Sequence, residues 1–139
     1  MLVIYLGFAF WDLRFASMKP TIFHTQESAE YYTPERCHII EIMNQPGIDF
    51  SIARARVEPG VTTALHSLAG TNEAYYILSG QGRVRYGGHQ EREVGPADIV
   101  IYSPDAPQSI TNTGETDLIF LCVCVPRFRK EAYIALDNY

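Results

Sequence analysis

His66 and Glu73 are the two side chains whose types and spacing could do chemistry together. They lie in the stretch GVTTALHSLAGTNEAYYILSG, Gly60 to Gly80, on two apolar β-like runs joined by the small-residue turn Ala69-Gly70-Thr71-Asn72. A turn of that kind lets the second run fold back beside the first, so the imidazole and the carboxylate can converge. Such a pair can share a borderline metal ion, or act as general acid and base on a bound small molecule. The same residue types also occur as a core-satisfied histidine and a solvated glutamate, and the spacing leaves that alternative open.

Strand alternation extends the candidate set. If Glu73 points inward, so do Tyr75 and Ile77, and His66 shares its side with Leu68. The pocket so built holds one imidazole, one carboxylate, one phenol and a leucine. Without a metal, Glu73 and His66 in a dry interior would shift each other toward a shared-proton pair, with Tyr75 as hydrogen-bond donor or acid. A buried phenol with one satisfied hydrogen bond is the plainer reading of Tyr75. Arg54 and Arg56 alternate with Ala53, Ala55 and Val57, which puts both guanidinium groups on one face. There they could grip a substrate carboxylate or phosphate, or form a solvated or subunit-facing surface.

These residues need a scaffold of short strands, and the sequence supplies one. From Cys37 onward it reads as about nine strand-like runs separated by Gly, Pro, Asn and Asp turns, with no amphipathic helix between them. That describes an all-β, antiparallel sandwich or barrel and excludes parallel βαβ topology. The expected layout is a leader and arm over 1–36, a barrel over 37–126, and a tail over 127–139. The tail, RFRKEAYIAL, has apolar residues at helix-like spacing and reads as a short helix across the barrel. Thr25 to Arg36 reads as a polar surface arm with one helical turn over Glu27 to Tyr31. Met1 to Ser17 differs in composition from the rest, and translation starting at Met18 is expected. Its apolar run of about ten residues is too short for a bilayer and has no basic region before it.

Composition narrows the partners. A chain of 139 residues with 47% hydrophobic and 19% charged residues and net charge -5 fits one ordinary globular domain. The acidic balance, without a Lys/Arg cluster, argues against nucleic acid or anionic membrane as a main partner. Three cysteines, two of them at 122 and 124, point to a reduced, cytoplasmic protein in which they serve packing or, alternatively, a soft metal.

Beyond composition, the Gly60–Gly80 stretch resembles the first motif of the cupin superfamily: glycine, five residues, His-x-His, three or four residues, Glu, six residues, glycine. Gly60, His66, Glu73 and Gly80 keep the spacing, and Leu68 replaces the second histidine. The second motif, glycine, five residues, Pro-x-Gly, two residues, His, three residues, Asn, falls on Ala97, Ser103, Asp105, Gln108 and Asn112. Only Asn112 is kept, and Gln108 stands where the last metal-binding histidine belongs, its amide oxygen still able to accept a metal or to bind a substrate hydroxyl. Asp105 replaces a turn glycine, which aspartate tolerates better than most residues. NEAYYILSG, APQSITN and FLCVCVPRF are similar to a group of small single-domain cupins with leucine and glutamine at these positions. The resemblance covers roughly Phe50 to Phe128.

The resemblance implies a jelly-roll (double-stranded β-helix) barrel, frequent homodimers, and activities among isomerases, decarboxylases, lyases, cyclases and dioxygenases. It implies His66, Glu73 and Gln108 as ligands of iron(II), manganese(II) or zinc(II), completed by water or a substrate oxygen. Losing even a supporting partner costs roughly 10 to 100-fold in metal affinity, so two missing imidazoles weaken that site. The expected function is a metal-dependent enzyme on a small polar metabolite, a sugar or organic acid, with Glu73 or Tyr75 moving a proton. The alternatives are a metal-free binding or sensor protein, and a metal-free acid/base enzyme.

Overall fold

The computed structural model describes residues 19–86 and 89–137, so the expected start at Met18 lies outside it. After a single 3-10 turn at Glu27–Ala29 come β1 (Tyr31–Tyr32), β2 (His38–Met43), β3 (Ser51–Val57), β4 (His66–Leu68) and β5 (Asn72–Ser79). They are followed by β6 (Gly82–Tyr86), β7 (Gln90–Val94), β8 (Ile99–Tyr102), β9 (Ile110–Asn112), β10 (Leu118–Val125) and β11 (Tyr133–Ala135). All nine strands read from the alternation are present. No helix of the described residues is long and apolar enough to cross a membrane.

Every pairing is antiparallel, and the strands form two facing layers. One is a six-stranded sheet in the order β1-β2-β3-β10-β5-β8. The other combines β7-β6-β9 with β11-β4, joined by isolated bridges at Thr62–Thr111 and His66–Gln108. Between them lies a core of inward residues, among them Val57, Ile77, Val84, Ile110, Leu118 and Phe120. Burying each such side chain stabilises the fold by roughly 1.5–3 kcal/mol. On the outer side of β5 and β8, Leu78, Ile99 and Ile101 remain exposed.

Three of the turns at motif positions have backbone reasons. Gly80 has φ +88, and a Cβ there would lie 2.7 Å from the Asp117 carbonyl oxygen, so only glycine fits. Ala97 and Asp105, which replace family glycines, also take positive φ, 71 and 67. Asn112 earns its place as a splice: its amide donates to the Val57 and Thr116 carbonyls, and its oxygen accepts from Gly114 N–H.

The short helix expected across the barrel is corrected. The tail makes one 3-10 turn, Lys130–Ala132, and then β11, which pairs Tyr133 with Leu68 and Ala135 with His66. Among the described residues β4 has no other long strand partner, so its open edge captures the tail in extended form in preference to a lone turn of helix. The arm likewise extends the large sheet through β1. Arm and tail together grip residues 62–65: Ala64 N–H donates to the Glu35 carbonyl and Arg36 to that of Thr62. From the tail, Leu136 N–H donates to the Leu65 carbonyl, and the Asp137 carboxylate accepts from Leu65 N–H.

Candidate functional site

His66, Glu73 and Gln108 do converge, but not as neighbours on a hairpin. β4 pairs with β11 while β5 pairs with β10 and β8, so the imidazole and the carboxylate stand on facing layers. Gln108 brings them together. Its backbone exchanges both hydrogen bonds with His66, at 3.2 and 2.8 Å, which fixes it as the cross-strand partner of the histidine. Its side-chain Nε2 donates to His66 Nε2 at 2.9 Å and also to Glu73 Oε2.

The protons can be assigned from these contacts. His66 Nδ1 lies 2.9 Å from the Ala64 carbonyl, which can only accept, so Nδ1 carries the hydrogen and Nε2 presents a lone pair. An amide NH2 satisfies both that lone pair and the carboxylate. The reverse orientation of Gln108 would set oxygen against two acceptors. His66 is therefore held at both ring nitrogens. Tyr133 of β11 covers it, with ring centroids 4.9 Å apart.

Glu73 has a second oxygen, Oε1, which has a distant thiol contact from its cross-strand neighbour Cys124 at 3.6 Å. Burial raises its pKa above 4.5, against the lowering pull of His66 and the Gln108 hydrogen bond. Tyr75 is packed between Tyr102 and Phe120, and burial holds its phenol protonated well beyond the ordinary range.

His66, Glu73 and Tyr75 line a cavity of about 160 Å³ between the layers, whereas Gln108 stands behind it, 1% exposed. That volume matches a cavity of ~150 Å³ known to admit a benzene-sized molecule. Leu68 and Phe120 supply apolar wall, and all three cysteines reach it as free thiols. Burial pushes the Cys37 thiol up to about 11 and those of Cys122 and Cys124 further, so they stay protonated.

Two residues of the site escaped the sequence reading. Glu35, in the arm between Pro34 and Arg36, lines the cavity, and burial raises its carboxyl pKa while His66 lowers it. Nothing in the motif spacing points to it, because a single long-range backbone bond to Ala64 sets its position. Tyr133 was legible only through the period-two alternation of YIAL, which competed with a helical reading.

Arg54 and Arg56 lie elsewhere. They project from the outer face of β3, where Arg54 makes a two-pronged bond to Glu27 at 2.8 and 2.6 Å. Arg56 binds Glu30 and Asp117. Neither lines the cavity, so the substrate grip expected of them is replaced by a pairing of arm and sheet.

The implied metal centre does not fit the donors as they are arranged. Gln108 turns its N–H2 group, not its oxygen, toward both His66 Nε2 and Glu73 Oε2, and Leu68 fills the position of the second histidine. An amide N–H2 cannot ligate, and the one imidazole lone pair is already spent on it. Among the described residues no group of three or more His, Cys, Asp or Glu is disposed to hold an ion.

The cupin domain family profile matches residues 53–124. An uncharacterized protein of Methanocaldococcus jannaschii is 32% identical over 104 residues, 73% of this chain and 82% of that protein. The chain belongs to the cupin family. An oxalate-binding protein of Thermotoga maritima is 37% identical over 73 residues, 52% of this chain and 60% of that protein. A double-stranded β-helix protein from Klebsiella pneumoniae superposes with TM-score 0.69 at 17% identity, over 86% of this chain and all of the other.

Proposed function

We propose that this cupin binds a small, neutral, polar molecule in the cavity and moves a proton on it with Glu73, in an isomerase or lyase type of reaction. The observation that carries the proposal is a buried carboxyl lining the cavity, with one oxygen anchored by Gln108 and the other met only by the distant Cys124 thiol. Burial makes Glu73 a stronger base than an exposed carboxylate, suited to removing a proton beside a carbonyl. Tyr75, protonated throughout, can donate to the oxygen on which charge develops, and Glu35 is a second, partly buried carboxyl able to return the proton.

The lining argues for neutrality. Glu35, Glu41 and Glu73 face the cavity, and no lysine or arginine lines it among the described residues. The oxalate for which the Thermotoga relative is named would meet three carboxyl groups and no cation. Of the expected sugar or organic acid, the sugar-like class suits this wall. The expected homodimer belongs to the same reading and is supported by exposed Leu78, Ile99 and Ile101 on one face. A solution mass of 15.7 kDa would remove it.

A second reading is binding without turnover. It is favoured by His66, whose two ring nitrogens are both engaged and leave it no basic site. Incubation with a panel of neutral sugars and hydroxyketones in deuterated water separates the two readings. Wild type should exchange the hydrogen beside the carbonyl of a bound panel member, and Glu73→Gln should bind it without exchange. Binding with no exchange by wild type refutes the enzyme, and absence of any binding refutes both readings.

A further inference from the structure

The cavity opens into a wider depression of about 650 Å³. Tyr31, Glu41, Asn44 and Phe128 line both spaces, so they are continuous. The rest of the outer wall comes from the segment after β10: Arg127, Arg129, Lys130 and Glu131. Inside, carboxyl groups face apolar wall; outside, three cations meet two carboxylates.

Those cations differ from others on the barrel. Arg36, Arg54, Arg56 and Arg83 are each held by carboxylates. Arg127 instead donates to the Asn44 amide oxygen at 2.9 Å, and Asn44 passes its own N–H to Glu41 at 2.7 Å. Its charge is oriented but not neutralised. Arg129 and Lys130 are exposed and form no ion pair with a described carboxylate. In a chain of net charge -5, three cations within four residues that form no ion pair with a described carboxylate and outnumber the two carboxylates beside them, at the mouth of a cavity without any, form a local reversal of sign.

We propose that this vestibule is an oxyanion subsite: it receives a phosphate carried at one end of a ligand whose neutral part occupies the cavity. Two guanidinium groups and an ammonium suit a phosphate's three oxygens, with Arg127 as the fixed member and Arg129 and Lys130 closing on it. The ligand class is then a phosphorylated, otherwise neutral small metabolite, oriented with its reacting carbon toward Glu73. The proposal rests on the cavity reading for the neutral end of the ligand, and the phosphate end can be tested alone.

Inorganic phosphate is titrated into the 15N-labelled full chain, with sodium acetate and sodium chloride at matched ionic strength as separate arms. Phosphate should shift the amide signals around Arg127 to Glu131 saturably. The exposed double variant Arg129→Gln/Lys130→Gln should weaken this by about tenfold, as expected for two solvent-exposed charge contacts. Equal shifts by acetate would make the subsite a carboxylate site, and equal shifts by chloride, or none, would overturn it. Glucose against glucose 6-phosphate then reports the combined ligand: phosphate should tighten binding in wild type and not in the double variant. Phosphate shifts without any response of the cavity residues to either sugar would sustain the subsite and count against the neutral-cavity reading instead.

Discussion

The Tyr133 ring lies against that of His66, centroids 4.9 Å apart and planes 23° from parallel. The last described strand thus packs on the face of the site's imidazole, while the hydrogen bonds hold its two ring nitrogens. Tyr133→Ala should cost about 1–3 kcal/mol, the stacking plus part of an aromatic burial. Urea unfolding measures this, and a loss below experimental error would show that the contact is incidental.

Gln108→Leu keeps the bulk and removes the N–H groups. It leaves the Glu73 oxygen and the His66 lone pair buried without a donor, which should cost about 1–3 kcal/mol per unmet group. It should also raise the Glu73 pKa further, since the Gln108 bond is one of the effects holding it down. A carboxyl carbon NMR titration of wild type and variant would contradict this by giving the same midpoint.

Acid dependence follows from the same group. The folded pKa of Glu73 lies above its unfolded value of 4.5, so its contribution to stability is complete below that pH and is lost as pH rises through the folded value. Glu35 behaves alike, whereas Glu30 and Asp137, lowered by Arg56 and by the Leu65 N–H, act in the opposite sense. All three are common to wild type and Glu73→Gln. The stability of Glu73→Gln relative to wild type should therefore increase as pH rises above about 4.5. Parallel melting curves across pH 4 to 8, an interval of about four units around the carboxyl range, would refute it.

Restoring imidazoles should restore a metal site. Leu68 and Gln108 occupy the two positions from which histidines are missing, and both side chains are buried. Leu68→His/Gln108→His should bind zinc more than roughly 100-fold tighter than wild type, judged from the effect of losing even outer partners. Competition with a chromogenic chelator reads this, and equal affinities would mean that wild type already ligates by another route.

Ala97 holds φ 71 where the family motif has glycine. An alanine in the left-handed region is strained by about 1–2 kcal/mol, so Ala97→Gly should stabilise the protein by about 1 kcal/mol despite its added chain entropy. A variant no more stable in denaturant than wild type would mean that the turn is not strained.

The strands were legible because each inward residue alternates with an outward one, as in Glu73, Tyr75 and Ile77, and because turns are marked by Gly and Pro. His66, Glu73 and Gln108 were legible by spacing, since motif positions fix where strands begin. Their meeting across the layers was not, because strand order is a non-local property that the Ala69–Asn72 turn does not encode. Glu35 reached the cavity through a long-range backbone bond that leaves no local pattern, and Tyr133 through an open strand edge that decided between the extended and helical readings of YIAL. Arg54 and Arg56 had the right chemistry on the wrong face: strand parity told which residues go together, not which side is inside.

Residues 62–65, immediately before His66, are tied on one side by Glu35 and Arg36 and on the other by Leu136 and Asp137, and Arg36 also meets Asp137 at 3.1 Å. The histidine is thus splinted by segments about a hundred positions apart along the chain. Proteolytic clipping of the final strand would be felt at the imidazole before the sheets registered any damage, and a bulky fusion crowding that end would disturb the pocket from a distance.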